Sequence, residues 1–278
     1  MNMSVANTSG LRAALRASAL ALGTSLLAGC VSDAGETFRV DAAQGKSENI
    51  SSLNAAISRS PRDPEAYNIR GQALTRAGRF KDARDDFDKA IDLDRRYFQA
   101  YANRAVTKRA LGDVVGAAED YSAALRINKQ YDTAYIGRGE IYRRAGRLDE
   151  ALLDFNRAIQ LDTTNPRAYA RRGLVRQVRG EHTAAIEDFS TAISLAPDQP
   201  QGYNGRGLSY AALNDLDNAF ADFNTALTLD NGIAESWANQ AFVYEKRGER
   251  SKAAKSYARA VQIDPDYQPA KNGLSRTR

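Results

Sequence analysis

The chain has 278 residues, 43% of them apolar and 26% charged, and its mean hydropathy of −0.53 excludes a protein of many membrane spans. Lys and Arg total 39 against 34 Asp and Glu, a net of +5 that reads as too mild and too evenly spread for nucleic-acid binding. One Cys and one His, His182, exclude an internal disulfide, a Cys-rich zinc site and most histidine chemistry.

Residues 1–29 read as a leader. Arg12 and Arg16 give a basic start, and Ala17 to Gly29 is an uncharged run of 13 residues. A membrane span needs about 20 apolar residues, so the run has the length of a secretory signal instead. Leu27-Ala28-Gly29-Cys30 resembles the lipobox of bacterial lipoproteins. That resemblance implies cleavage after Gly29, a lipid on the Cys30 sulfur and a membrane anchor made of several acyl chains. The alternative is an ordinary secretory leader with an incidental cysteine. The only Cys of the chain standing at the position that lipidation requires favours the lipoprotein. Val31 rather than Asp follows it, which by the same resemblance favours the outer membrane. Loss of the leader leaves 37 basic residues against 34 acids, a net of +3.

Residues 30–46 have no apolar period and read as a flexible tether spanning on the order of 20–25 Å. In 47–63, Ile50, Leu53, Ala56 and Ile57 recur at helical spacing and predict an N-terminal capping helix. A period of 34 then runs through 64–267. Tyr67, Tyr101, Tyr135, Tyr169, Tyr203 and Trp237 form one column. Ala83, Ala117, Ala151, Ala185, Ala219 and Ala253 form another, and Phe87, Tyr121, Phe155, Phe189, Phe223 and Tyr257 a third. Six copies result, 64–97, 98–131, 132–165, 166–199, 200–233 and 234–267. Each reads as two helices parted by Gly78, Gly112, Gly146, Gly180, Asn214 or Gly248, residue types that tolerate the left-handed conformation of a helix stop. One such hairpin cannot bury its apolar face alone, so neighbours must stack. The tail, 268–278, reads as too short and polar to start a full repeat, and as a frayed helical turn.

With a Gly or Ala column through Gly71, Ala105, Gly139, Gly173, Gly207 and Ala241 and a second Ala column through Ala90, Ala124, Ala158, Ala192, Ala226 and Ala260, these columns resemble tetratricopeptide repeats over about three quarters of the chain. The resemblance implies an all-α, right-handed α-solenoid of six helix hairpins whose first helices line a concave groove. With the leader, the general architecture resembles outer-membrane lipoproteins of the NlpI type.

One column departs from the repeat pattern. Arg70, Arg104, Arg138, Arg172 and Arg206 are followed 16 residues on by Asp86, Asp120, Asp154, Asp188 and Asp222, and Gln240 and Ser256 replace both in the sixth copy. The offset is symmetric about the inter-helix turn, so an antiparallel hairpin brings the two positions face to face. Joint presence and joint loss favour internal ion pairs over ligand-binding arginines. The Gly-Arg-Gly runs at 137–139 and 205–207 lack a preceding strand and a third glycine, and read as helix packing rather than phosphate loops.

No catalytic constellation, metal set or cofactor motif is found, so the chain is read as a non-enzyme. By the resemblance, Val106, Arg109, Ile136, Arg143, Arg144, Leu174, Leu208 and Phe242 lie on the concave face, away from the hairpin core. Two readings stand: a mixed solenoid surface, or a groove for a peptide or partner helix. The expected role is a lipid-anchored periplasmic adaptor for other envelope proteins or peptides, such as a protease, a cell-wall enzyme or an assembly component. The alternative is a pilotin-like lipoprotein of pilus or secretion-system assembly. Partners are the membrane through Cys30 and proteins, with a second copy of the chain left open and nucleic acid excluded.

Overall fold

The computed structural model describes residues 47–277, so the leader, Cys30 and the tether lie outside the described residues. The described residues are all-helical, without a strand, and divide between Leu161 and Asp162 into two compact units.

The first unit contains α1 (Ser47–Arg59), α2 (Pro64–Arg76), α3 (Phe80–Leu93), α4 (Phe98–Ala110), α5 (Val114–Ile127), α6 (Asp132–Arg144) and α7 (Leu148–Leu161). α2 pairs with α3, α4 with α5 and α6 with α7, while α1 packs on α2, α3 on α4 and α5 on α6. α1 takes the place of a second helix, with Ile57 buried and Ile50 packed on the cluster of Leu74, Ala83 and Phe87.

The second unit contains α8 (Pro166–Val178), α9 (His182–Leu195), α10 (Pro200–Ala212), α11 (Leu216–Leu229), α12 (Ala234–Lys246), α13 (Arg250–Ile263) and α14 (Gln268–Thr277). Here α8 pairs with α9, α10 with α11 and α12 with α13. The tail is more ordered than the frayed turn expected of it: Gln268–Thr277 form α14, which packs on both α12 and α13. Its polar surface conceals a small inner face of buried Ala270, Gly273 and Thr277, and Gly273 lies flat against the Tyr257 ring. α14 therefore stands where the first helix of a seventh repeat would stand.

Local rules repeat with the period. Gly78 has φ 73° and Asn214 φ 62°, and in both the next residue donates back across the helix end, Arg79 N to Leu74 O and Asp215 N to Tyr210 O, each at 2.9 Å. That bond satisfies a carbonyl the helix would otherwise leave unpaired. Between repeats the chain turns on Asp94, Asn128, Asp162, Asp230 and Asp264, whose side chains accept from the backbone N–H two residues on. The core is small against large: the Ala83-type and Ala90-type columns are buried, and Phe87, Phe155, Phe189 and Phe223 are at most 1% exposed. Small residues let the helix backbones approach, and the rings fill the remaining volume.

Candidate protein-interaction face

The Arg and Asp columns meet inside each hairpin. Arg70 lies 2.6 Å from Asp86, Arg104 2.7 Å from Asp120, Arg138 2.7 Å from Asp154, Arg172 2.6 Å from Asp188 and Arg206 2.8 Å from Asp222. The carboxylates are buried and the arginines half-buried. Each guanidinium donates through Nε and Nη2, the two-pronged geometry that suits Arg to a carboxylate. Donating to the Asp86 carboxylate raises Arg70 above its ordinary pKa, and donating to Asp222 does the same to Arg206.

The third prong points backwards. Arg70 Nη1 donates to Asn54, Arg104 Nη1 to Asp88, Arg138 Nη1 to Ser122 and Arg206 Nη1 to Ser190, in each case 16 residues earlier on the preceding second helix. In the sixth copy Ser256 donates to Gln240 Oε1 at 2.8 Å, and Gln240 Nε2 donates to Asn224 at 2.7 Å. A neutral amide thus keeps both links where the charges are lost. Sequence reading found the forward partner and missed the backward one. Its signal is a column of small polar residues, Asn54, Asp88, Ser122, Asn156, Ser190 and Asn224, spaced by 34.

The aromatic three residues before each Arg does two jobs. Its ring lies 5.5–5.9 Å from the guanidinium carbon in five repeats. Its polar tip donates to the inter-repeat turn: Tyr67 to Pro61 O, Tyr169 to Thr163 O, Tyr203 to Pro197 O. Trp237 makes the same bond from Nε1 to Asn231 O at 2.9 Å. The position demands an aromatic with a donor, which is why Trp can replace Tyr there and Phe does not occur. With the third prong engaged, Arg70, Arg104, Arg138 and Arg206 tie each hairpin to the helix before it within its own unit.

The residues expected to line the interaction face are more deeply set than their register suggests. In the first unit Ile136 is buried at 5% exposure and is core, a correction to its reading as a contact residue. Val106 is half-buried and packs on the cluster of Ala105, Tyr121 and Ile141. Arg143 and Arg144 both donate to the buried Glu140, at 2.7 Å and 2.8 Å, so their charge is partly met inside the protein. Arg109 is half-buried and stands 34 residues before Arg143, at the same first-helix register. In the second unit Leu174, Leu208 and Phe242 are half-buried. Leu208 and Phe242 share one cluster with Ala211, Phe223 and Val243. Expectation placed these side chains clear of the core, whereas the adjoining helix covers one side of each and leaves the other open. Gln177 donates to Gly205 O and Ser209 across α8 and α10, and Asn204 to Ser236 across α10 and α12. These bonds fix the spacing of the first helices that carry the face.

Glu235 shares the spacing of Ala238, Phe242 and Glu245 on α12, and burial pushes its carboxyl up to about 7 from 4.5. The folded chain therefore holds that proton through a pH range in which the unfolded chain has released it, and stability falls as pH rises from about 4.5 to 7. Glu235→Gln is expected to raise stability by about 1–3 kcal/mol at pH 8 and to leave it unchanged at pH 4. Denaturant melts at both pH values check this; an equal effect at both would place the carboxyl in water.

Among the described residues no group of three or more His, Cys, Asp or Glu could hold a metal ion, and no helix is long and apolar enough to cross a membrane.

Family models for tetratricopeptide repeats match residues 63–131, 171–233 and 234–267, and one described as TPR repeat matches 139–177. No catalytic family is matched. No curated protein matches the chain in sequence. Among solved structures the chain is similar to the APC/C hetero-tetramer Cut9–Hcn1, with a TM-score of 0.75 and 20% identity over 84% of this chain. It spans only 46% of that protein's chain. It is also similar to pilF of Pseudomonas aeruginosa, with a TM-score of 0.68 and 20% identity over 77% of this chain and 97% of that one. A third is YrrB, a TPR protein with an unusual peptide-binding site, with a TM-score of 0.54 and 24% identity over 68% of this chain and 97% of that one. Likeness at these identities speaks to the fold. Matched by models along its length and by neighbours in its fold, the helix-hairpin array of this chain is built of tetratricopeptide repeats.

Proposed function

We propose that the protein is a lipid-anchored adaptor on the periplasmic side of a bacterial outer membrane, holding other envelope proteins or peptides on its first-helix face. Tetratricopeptide repeats suggest a protein–protein interaction scaffold. The observation that carries the finer reading is the Leu27–Cys30 sequence, which sets the only cysteine where lipidation requires it, ahead of such a scaffold. Leu208 and Phe242, half-open on one cluster, supply apolar anchors of the kind that dominate peptide recognition. The peptide-binding site of YrrB, a fold neighbour, supports a peptide as the occupant.

The test is capture of partners from detergent-solubilised envelopes by the wild-type chain and by Leu174→Asp, beside palmitate labelling of wild type and Cys30→Ala. Leu174 is half-open, so the Asp variant is expected to stay folded while capture falls at least about tenfold, since a charge replaces a desolvated anchor. Label should vanish in Cys30→Ala. A folded Asp variant that recovers every partner would remove the first-helix face from the reading, and undiminished label would remove the anchor. Recovery of secretin or pilus subunits, rather than proteases or cell-wall enzymes, would select the assembly-lipoprotein reading, whose fold pilF shares.

A further inference from the structure

The formal charge is less evenly spread than the composition suggests. Between Lys246 and Arg259 stand six basic residues, Lys246, Arg247, Arg250, Lys252, Lys255 and Arg259, and one acid, Glu249. Their net of +5 equals that of the whole chain. All six are exposed. The cause lies on α13, which contains no Asp or Glu, whereas α3, α5, α7, α9 and α11 each contain at least two. At the outward register of Asp85, Glu119 and Glu187 the sixth copy has Lys255, and at the ion-pair register of Asp222 it has Ser256. Replacement of the sixth ion pair by Gln240 and Ser256 thus keeps the link between repeats while removing the last acid from this helix.

Internal compensation is slight. Lys252 meets Glu249 and Arg247 meets Asp217, and one partner of each pair, Lys252 and Asp217, stands well out in solvent. Arg250 donates to the Arg276 carbonyl and Arg259 to Gln262, which spends a hydrogen bond without cancelling charge. Lys252, Lys255 and Arg259 fall at i, i+3 and i+7, one face of α13. None of the exposed large apolar residues, of which Leu229 is the last along the chain, lies on it. A protein partner that binds tightly needs an aromatic or aliphatic anchor at the centre of its contact. A face with charge and no anchor fits a flat, continuous polyanion instead.

We propose that the exposed face of α13, with the adjoining α12–α13 turn, rests on the anionic phospholipid surface of a bilayer. The choice of lipid over nucleic acid rests on the export and anchoring reading above. Each basic side chain near such a surface strengthens binding about fivefold, and with several acyl chains already holding Cys30 at the bilayer, the patch sets how the sixth repeat lies against that surface.

The full-length chain carrying Cys30→Ala is incubated with vesicles of phosphatidylcholine alone or with phosphatidylglycerol at about one third, and sedimented. The leader is common to all samples, and because its own Arg12 and Arg16 also favour anionic vesicles, the loss on changing α13 reads the patch. Binding is expected on anionic vesicles in excess of neutral ones, and the excess is expected to vanish near 0.5 M salt. Lys252→Glu, Lys255→Glu and Arg259→Glu together should lower the excess at least about 100-fold without shifting the thermal melt, since all three side chains are exposed. Lys81→Glu with Lys89→Glu, exposed positions on α3, should leave it within about threefold. Equal binding to both vesicle types, or an excess indifferent to the triple change, overturns the proposal. So does retention of duplex DNA or polyglutamate by a chain that ignores anionic vesicles. Because the chain tested has no acyl acceptor, failure here leaves the Cys30 labelling result standing, and failure of labelling leaves this one standing.

Discussion

Arg138→Ala is expected to destabilise the first unit by about 3 kcal/mol, far more than the ~0–1 kcal/mol of an exposed ion pair. The side chain of Asp154 is 7% exposed and that of Arg138 21%. Burial already pushes the Asp154 carboxyl above the usual range despite two hydrogen bonds from Arg138, so its charge is tolerated only because the guanidinium is there. Removing Arg138 strands that carboxylate, unlinks Ser122 on α5 and uncovers the rings of Tyr135 and Tyr142. The sixth repeat offers the rescue. Arg138→Gln combined with Asp154→Ser installs the pair that stands at 240 and 256, where the amide serves both the hydroxyl and the preceding helix. That double variant should fall within about 1 kcal/mol of wild type, since two polar partners satisfying each other cost far less than one buried charge left alone. Denaturant melts decide it. If Arg138→Ala, Asp154→Ala and the rescued double all cost the same, the two positions are not coupled, and the column needs another explanation.

What the sequence discloses follows from what each repeat asks of a position. The ring and alanine columns are legible because every copy presents the same narrow space, and only one class of side chain fills it. Asn214 is legible as a helix stop because φ near +62° admits little besides Gly and Asn. The forward ion pair is legible because Arg and Asp stand together in five copies and are lost together in the sixth. Its backward partner escapes because a carboxylate, an amide and a hydroxyl all accept the same guanidinium N–H, so the column varies while its job does not. α14 escapes for a related reason. Its outer residues are polar, yet Ala270 continues the line of Ala66, Ala100, Ala134, Ala168, Gly202 and Ser236 at a spacing of 34. The depth of Ile136 and the partial neutralisation of Arg143 and Arg144 by Glu140 depend on how two helices meet, and no periodicity records that.

Gly205→Ala is expected to cost about 2–4 kcal/mol, although Gly to Ala inside an exposed helix ordinarily gains about 1. The glycines on either side of Arg206 each lie against a ring. Gly205 meets Phe189 of the preceding repeat, and Gly207 meets Phe223 of its own. A β-carbon at 205 would sit 2.5 Å from the Phe189 ring. That ring is 1% exposed and also lies against Gly173, so it has little room to retreat. The methyl must therefore push α10 away from α9. The displacement would strain the Gln177 bonds to Gly205 O and Ser209, which set the spacing of the first helices carrying Leu174 and Leu208. Phe189→Leu alone opens a cavity and should cost about 1–2 kcal/mol, but in the Gly205→Ala background it should recover stability because the smaller side chain makes room for the methyl. A double-mutant cycle by thermal melts measures the sign of that coupling. Additive losses would mean that α10 adjusts freely, and that the Gly-Arg-Gly sequence is there for some purpose other than receiving rings from two repeats.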